Sequence, residues 1–116
     1  MQKIITLLGK PQSTNNLYRS SRRGVYMTKI GRELKKSYQQ QAREQWEQKP
    51  LEYDKIKVKI NLFFDDNRRR DWDNYHKISC DALNGIVWVD DCNITEATVT
   101  KNRTPGAPFM TIEVTY

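Results

Sequence analysis

The sequence predicts one small α+β domain, in which a mixed or antiparallel sheet of about four strands packs with two main helices. Its 116 residues can build one hydrophobic core, whereas two separate cores would each be too small to be stable. Segments with the period-two alternation of strands are interleaved with segments that repeat every three to four residues, as helices do. No internal repeat or linker interrupts them. The prediction is therefore a single domain over residues 1–116.

The first half of the chain predicts a strand, a loop and a long helix. Residues 3–8 form the strand, which Gly9 and Pro11 end. Residues 11–26 are rich in turn formers and predict a loop with a short hairpin near Arg23 and Gly24. Residues 28–49 predict an amphipathic helix that Pro50 ends. Its apolar stripe is Ile30, Leu34, Tyr38, Ala42 and Trp46.

The second half predicts a strand, a helix and two further strands. Residues 55–64 alternate between apolar and polar side chains and predict a half-buried strand, followed by a charged loop over 65–70. Residues 71–83 predict a helix with Asp71 or Asp73 as its N-terminal cap and Asn84-Gly85 at its C-terminus. Residues 94–101 and 109–116 alternate again, on either side of a Pro- and Gly-containing turn.

The charge is distributed unevenly along the chain. The net charge is +6, but residues 1–50 carry 11 Lys and Arg against 3 acids, and residues 51–116 carry 9 against 11. A basic first half favours a polyanionic partner, such as nucleic acid or an anionic membrane. The acidic second half is not explained by phosphate binding alone.

The expected compartment is the cytosol, without membrane insertion. No apolar stretch reaches the roughly 18 residues needed to span a bilayer, and the N-terminus lacks a signal-peptide pattern. Cys80 and Cys92 lack the spacing of a zinc site and are expected to be reduced thiols.

Four acids and a lysine occupy predicted element junctions: Asp71, Asp73, Asp90, Asp91 and Lys77. Carboxylates without His or Cys favour Mg²⁺, with Mn²⁺ as a possible substitute, and such ions serve phosphodiester cleavage. Asp73 and Lys77 stand four residues apart, so a continuous helix would make them neighbours. The alternatives are structural: a helix cap, a surface ion pair, and a polar turn at Asp90-Asp91.

The motif R-D-x-D-N-x-x-K over 70–77, followed by D-A-L over 81–83 and D-D over 90–91, resembles the RusA family of Holliday-junction resolvases. The early loop with Asn15-Asn16 belongs to the same resemblance, which spans essentially the whole chain. It implies a RusA-like fold and a homodimeric, Mg²⁺-dependent endodeoxyribonuclease that nicks opposing strands of four-way DNA junctions in recombination and repair. It also implies a bacterial host, with the gene carried by a phage or prophage.

The resemblance assigns roles to individual positions. Asp71, Asp73 and Asp91 correspond to the metal-binding carboxylates, and Lys77 to the lysine that stabilises the transition state. Asp90 corresponds to an acid that supports these ligands. Two segments correspond to DNA contacts: Thr14, Asn15, Asn16 and Leu17, then Asn67, Arg68, Arg69, Arg70, Asp71, Trp72, Asp73 and Asn74.

Other features leave alternatives open. His76 is either a general base or, as we favour, a surface residue hydrogen-bonded to Asp73. Lysines at 55, 57 and 59 either follow a DNA arm or protect an edge strand from aggregation. Tyr18, Tyr26 and Trp72 could each stack on unpaired bases. The competing functions for the chain are a non-catalytic nucleic-acid-binding module and a metal-dependent RNase.

Overall fold

The computed structural model describes all 116 residues. The strands are β1 (Gln2–Leu8), β2 (Tyr18–Ser21), β3 (Gly24–Met27), β4 (Ile56–Phe64), β5 (Ile94–Arg103) and β6 (Phe109–Thr115). The α-helices are α1 (Thr14–Leu17), α2 (Lys29–Trp46) and α3 (Lys77–Leu83), and one-turn 3₁₀ helices lie at Trp72–Asn74 and Asp91–Asn93. None of the helices combines the length and apolar composition required to cross a bilayer.

The main sheet has four strands in the order β1-β6-β4-β5. β6 is antiparallel to both β1 and β4, whereas β5 runs parallel to β4. The predicted α+β class, with a mixed four-stranded sheet and two main helices, is thus confirmed. β2 and β3 form a separate antiparallel ribbon in which Ser21 pairs with Gly24, so Arg22 and Arg23 form the two-residue turn.

The core lies between one face of this sheet and helices α2 and α3. The predicted apolar face of β4 is buried throughout, as are Tyr38, Ala42 and Trp46 of α2. Ile30 is an exception to the predicted stripe, since 58% of its surface is exposed and Gly31 is buried instead. The first turn of α2 packs directly on the backbone of Leu17, and only glycine permits that approach.

The predicted helix over 71–83 is shorter than expected. A separate 3₁₀ turn covers 72–74, and α3 begins at Lys77. Neither Asp71 nor Asp73 makes a capping hydrogen bond, so that prediction is wrong. The C-terminal prediction is confirmed, because Asn84 is the C-cap of α3 and Gly85 has a positive φ of 80°.

The β1 edge of the sheet is covered by two glutamine side chains from α2. Gln45 accepts a hydrogen bond from the Thr6 amide and donates to the Thr6 carbonyl, both at 2.7 Å. Gln41 makes the same pair of bonds with Leu8. These amides satisfy the outer groups of an edge strand as another strand would. β4, in contrast, is central, so its lysines do not protect an edge and that alternative is wrong.

The helical layer is narrower than the sheet. β5 lies at the edge opposite β1, and its residue Ala97 is exposed although it pairs with buried Val58 of β4. A groove therefore remains between β5 and α3, floored by the uncovered part of the sheet.

Candidate functional site

The groove between α3 and β5 has a volume of about 440 Å³. Its floor is apolar and includes Val58, Ile60 and Val99. Its polar wall brings together side chains from three separate segments, namely Trp72, His76, Lys77, Asp81 and Asp91. Two of the predicted catalytic residues, Lys77 and Asp91, thus line one groove although they are 14 positions apart in the sequence.

Lys77 is paired with an acid other than the predicted one. Its Nζ lies 3.4 Å from Oδ2 of Asp81, one turn further along α3. The expected neighbour, Asp73, belongs to the preceding 3₁₀ turn and not to the helix, so the predicted Asp73–Lys77 pairing is wrong. Oδ2 of Asp81 also accepts a hydrogen bond from the Tyr18 hydroxyl at 2.6 Å.

Asp91 lies close to two other acidic side chains, Asp90 and Asp81. Burial raises the pKa of its carboxyl, and the neighbouring carboxyl groups of Asp90 and Asp81 raise it further. Asp90 accepts a hydrogen bond from the backbone N–H of Cys92 at 3.0 Å and caps the 3₁₀ turn that carries Asp91. The polar-turn interpretation is thus correct for Asp90, and the turn holds Asp91 against the groove.

Asp71 and Asp73 are exposed on either side of Trp72, whose indole lines the groove. No three acidic, histidine or cysteine side chains of the structure come together in a way that would hold a metal ion. The structure therefore unites Asp91 with Asp81 and Lys77 on the groove wall, whereas Asp71 and Asp73 are exposed beside Trp72 and do not line the groove.

The charged loop before this turn is held by Arg70. Its guanidinium lies 2.6 and 3.2 Å from the two carboxylate oxygens of Asp66 and 4.0 Å from the centre of the Phe64 ring. These contacts leave only 9% of the Arg70 side chain exposed, whereas Arg68 and Arg69 face solvent. Of the three consecutive arginines, two are therefore free to contact a ligand and one organises the loop.

The two segments expected to contact DNA lie side by side. The Thr14 hydroxyl donates a hydrogen bond of 2.8 Å to the carbonyl of Asn74 and joins α1 to the 72–74 turn. Tyr18 follows α1 directly and starts the β2–β3 ribbon. The ribbon carries exposed Arg19, Arg22 and Arg23, none of which is in an ion pair. No acid precedes Glu33 in the chain, so this surface has a strong positive charge.

His76 and Cys80 are part of the groove wall. Nδ1 of His76 is buried without a hydrogen-bond partner, so the expected surface bond to Asp73 is absent. Burial raises the pKa of the Cys80 thiol to about 12, with a further contribution from Asp91. Cys80 and Cys92 are both free, as expected.

A comparison with protein families identifies the chain. The model of the family described as Endodeoxyribonuclease RusA matches residues 9–115. The chain belongs to the RusA family. It is accordingly an endodeoxyribonuclease of the Holliday-junction-resolving type, and the resemblance carried by its motif is confirmed. No curated protein gives a significant match to the chain.

The pair of Tyr18 and Asp81 in this RusA-family chain has no role in the prediction from sequence. There, Asp81 is only part of the D-A-L motif, and Tyr18 is only a residue that could stack on a base. The spacing of four between Lys77 and Asp81 could have indicated their pairing. Nothing local indicates the bond to Tyr18, which is 63 positions away.

Proposed function

We propose that this RusA-family enzyme is a Mg²⁺-dependent, structure-selective endonuclease that resolves four-way junctions by paired symmetric nicks during DNA recombination and repair. The observation that supports this most directly is a groove lined by both Lys77 of α3 and Asp91 of the 91–93 turn. Trp72, which stands between Asp71 and Asp73, also lines the groove, so a phosphate seated there would be close to acidic side chains and to a cation.

The chemistry of the three predicted ligands suits a hard divalent cation. Asp71, Asp73 and Asp91 would hold it, through carboxylate oxygens of the kind that Mg²⁺ and Mn²⁺ prefer. The raised pKa of Asp91, caused by burial and by neighbouring carboxyl groups, indicates an excess of negative charge that such a cation would relieve. When bound, the ion would activate water and stabilise the leaving oxygen.

Lys77 supplies a positive charge from the protein, in addition to the charge of the metal ion. Its ammonium group lies on the groove wall, and half of the side chain is exposed, so a phosphate oxygen in the groove can contact it. A cation at this position stabilises the negative charge that develops on the phosphate in the transition state more than it stabilises the ground state.

DNA contacts follow from the exposed positive surface around the groove. Arg68 and Arg69 of the loop and the amides of Asn15 and Asn16 are exposed, and we expect them to bind backbone phosphates. The ribbon arginines extend the same surface. Trp72 has 57% of its surface exposed and offers a flat face on which an unpaired base can stack. Arg70 contributes indirectly, because its pairing with Asp66 shapes the loop.

Paired nicks require two sites related by a two-fold axis, so we propose a homodimer. The sheet face opposite the core supports this, because Leu8 of β1, Phe109 of β6 and Phe63 of β4 lie in one register row across it. Leu8 has 65% of its surface exposed, and the two phenylalanine rings stack with their centroids 4.4 Å apart. Sedimentation of the wild type at micromolar concentration would test the dimer, and a monomer at all concentrations would contradict it.

The decisive experiment measures nicking and binding of a synthetic four-way junction separately. Asp71→Asn, Asp73→Asn and Asp91→Asn should each abolish nicking in Mg²⁺ but bind the junction as well as the wild type or more tightly, because each removes repulsion from phosphate. Glu44→Gln is the control, since it removes an exposed acid of α2. Normal nicking by any of the three aspartate variants would contradict that residue's assignment.

A second comparison separates the competing functions. Lys77→Ala should lower turnover more than junction affinity. Equal losses in both would mean that Lys77 only contacts a phosphate and does not act in the reaction. Four-way, duplex and single-stranded DNA and RNA, each with Mg²⁺ or with EDTA, form the substrate panel. Symmetric nicks confined to the four-way junction support a resolvase. Cleavage of RNA, or binding without cleavage, would favour an RNase or a non-catalytic module.

A further inference from the structure

A single carboxylate oxygen connects the groove to the ribbon. Oδ2 of Asp81 accepts a hydrogen bond from the Tyr18 hydroxyl at 2.6 Å and lies 3.4 Å from Nζ of Lys77. The same Nζ lies 5.1 Å from the centre of the Tyr18 ring, so the lysine contacts both members of the pair. Tyr18 belongs to β2, and the two other residues to α3.

This arrangement restricts a side chain that would otherwise be mobile. Half of the Lys77 side chain is exposed, and a free lysine samples many rotamers. Asp81 attracts its ammonium group toward the groove wall, and the electron-rich face of the Tyr18 ring confines it from a second direction. Burial and the bond to Asp81 raise the pKa of the Tyr18 hydroxyl, which therefore stays protonated and keeps donating to Asp81.

We propose that Tyr18 and Asp81 are positioning residues for Lys77, which they hold at the groove wall where the scissile phosphate binds. The inference rests on the proposed role of Lys77 in the reaction. Asp81 acts on Lys77 directly, and Tyr18 acts both through its ring and by fixing the orientation of the Asp81 carboxylate. Because Tyr18 is also the first residue of the ribbon, the same contact sets the distance between Lys77 and the ribbon arginines.

The test compares Tyr18→Phe and Asp81→Asn, each of which removes one element of the contact with little change of shape. Single-turnover nicking should fall about fivefold for Tyr18→Phe and further for Asp81→Asn, while the dissociation constant of the junction stays within about twofold of the wild type. Tyr53→Phe is the matched control, because Tyr53 is an exposed tyrosine outside the ribbon and the groove. Assays well below the thermal midpoint of every variant separate positioning from loss of folding.

A second readout does not depend on cleavage. Reductive methylation with ¹³C-formaldehyde labels lysines while preserving their charge, and Lys77→Ala identifies the NMR signal of Lys77. The wild-type signal should be broader and shifted relative to those of solvent-exposed lysines. Tyr18→Phe and Asp81→Asn should move it toward them, whereas Tyr53→Phe should leave it in place.

The proposal is overturned if the Lys77 signal is unchanged in both variants, or if rate and affinity fall together. A rise in the Mg²⁺ concentration needed by Asp81→Asn would also overturn it, since Asp81 would then be a metal ligand. If Lys77→Ala cleaved the junction as fast as the wild type, the proposed role of Lys77 itself would be contradicted. That result comes from a different variant, so the two failures can be distinguished.

Discussion

Gly31→Ala should destabilise the protein, although alanine is the better helix former. Gly31 occupies the first turn of α2, and a Cβ built there would lie 2.6 Å from the carbonyl oxygen of Leu17 and 2.7 Å from Cγ of Met27. The methionine can move, but the Leu17 carbonyl is held by hydrogen bonds from the amide and the hydroxyl of Thr28, at 2.8 and 3.2 Å. The backbone must therefore shift by about 0.5 Å or more to restore an ordinary contact.

The expected magnitude is a difference of two effects. Overpacking of a buried site costs about 1–3 kcal/mol. Replacing glycine by alanine within a helix stabilises the helix by up to about 1 kcal/mol. The central values leave a net loss of about 1 kcal/mol, which lowers the thermal midpoint of a domain of this size by about 5 °C. Nicking should also slow, because Leu17 is bonded to Tyr18 and its displacement disturbs the contact with Asp81.

Urea denaturation gives the free energy of unfolding, and a junction-nicking assay at low temperature gives the effect on the site. Gly106→Ala is the control, because the added Cβ would meet only Thr104 Oγ1 at 4.0 Å and φ is not positive. Its stability should change by less than about 0.5 kcal/mol. A Gly31→Ala protein as stable as the wild type would refute the steric reasoning.

Four further predictions concern single side chains. Tyr38→Phe should raise the free energy of unfolding by up to about 1 kcal/mol, because the hydroxyl is buried without a partner; a decrease in urea denaturation would contradict this. Iodoacetamide at pH 8 should modify exposed Cys92 and spare Cys80, whose pKa of about 12 leaves almost no thiolate, and equal rates by mass spectrometry would disprove it. His76→Gln should keep most of its nicking activity, and a loss of about 100-fold or more would instead indicate a general base. The bond to Arg70 holds the pKa of Asp66 well below its usual range, so ionised Asp66 stabilises the fold near neutral pH, and this stabilisation is lost as pH falls below about 4. The thermal midpoint of Asp66→Asn should therefore fall less than that of the wild type between pH 7 and pH 3. Parallel curves for the two proteins would exclude this linkage.

The elements with strong local signals were predicted correctly from the sequence. The alternation along β4 and the four-residue period of α2 both report burial on one face, which is a property of neighbouring residues. The wrong predictions fall where the sequence pattern was weak or fitted more than one structure. The spacing of Asp73 and Lys77 suits a helix, but the chain uses a separate 3₁₀ turn there, and Lys77 pairs forward to Asp81. The roles of the aspartates in metal binding remain predictions.

The α+β class, the family motif and the identity of the charged residues follow from the amino-acid sequence, because periodicity and residue chemistry are local properties. Which of those residues meet depends on the folded structure. It separated Arg70 from its two neighbours by pairing it with Asp66, and it joined Tyr18 to Asp81 across 63 positions. The physical reason is that such contacts depend on how the helices cover the sheet, and the uncovered strip beside β5 is where the groove forms.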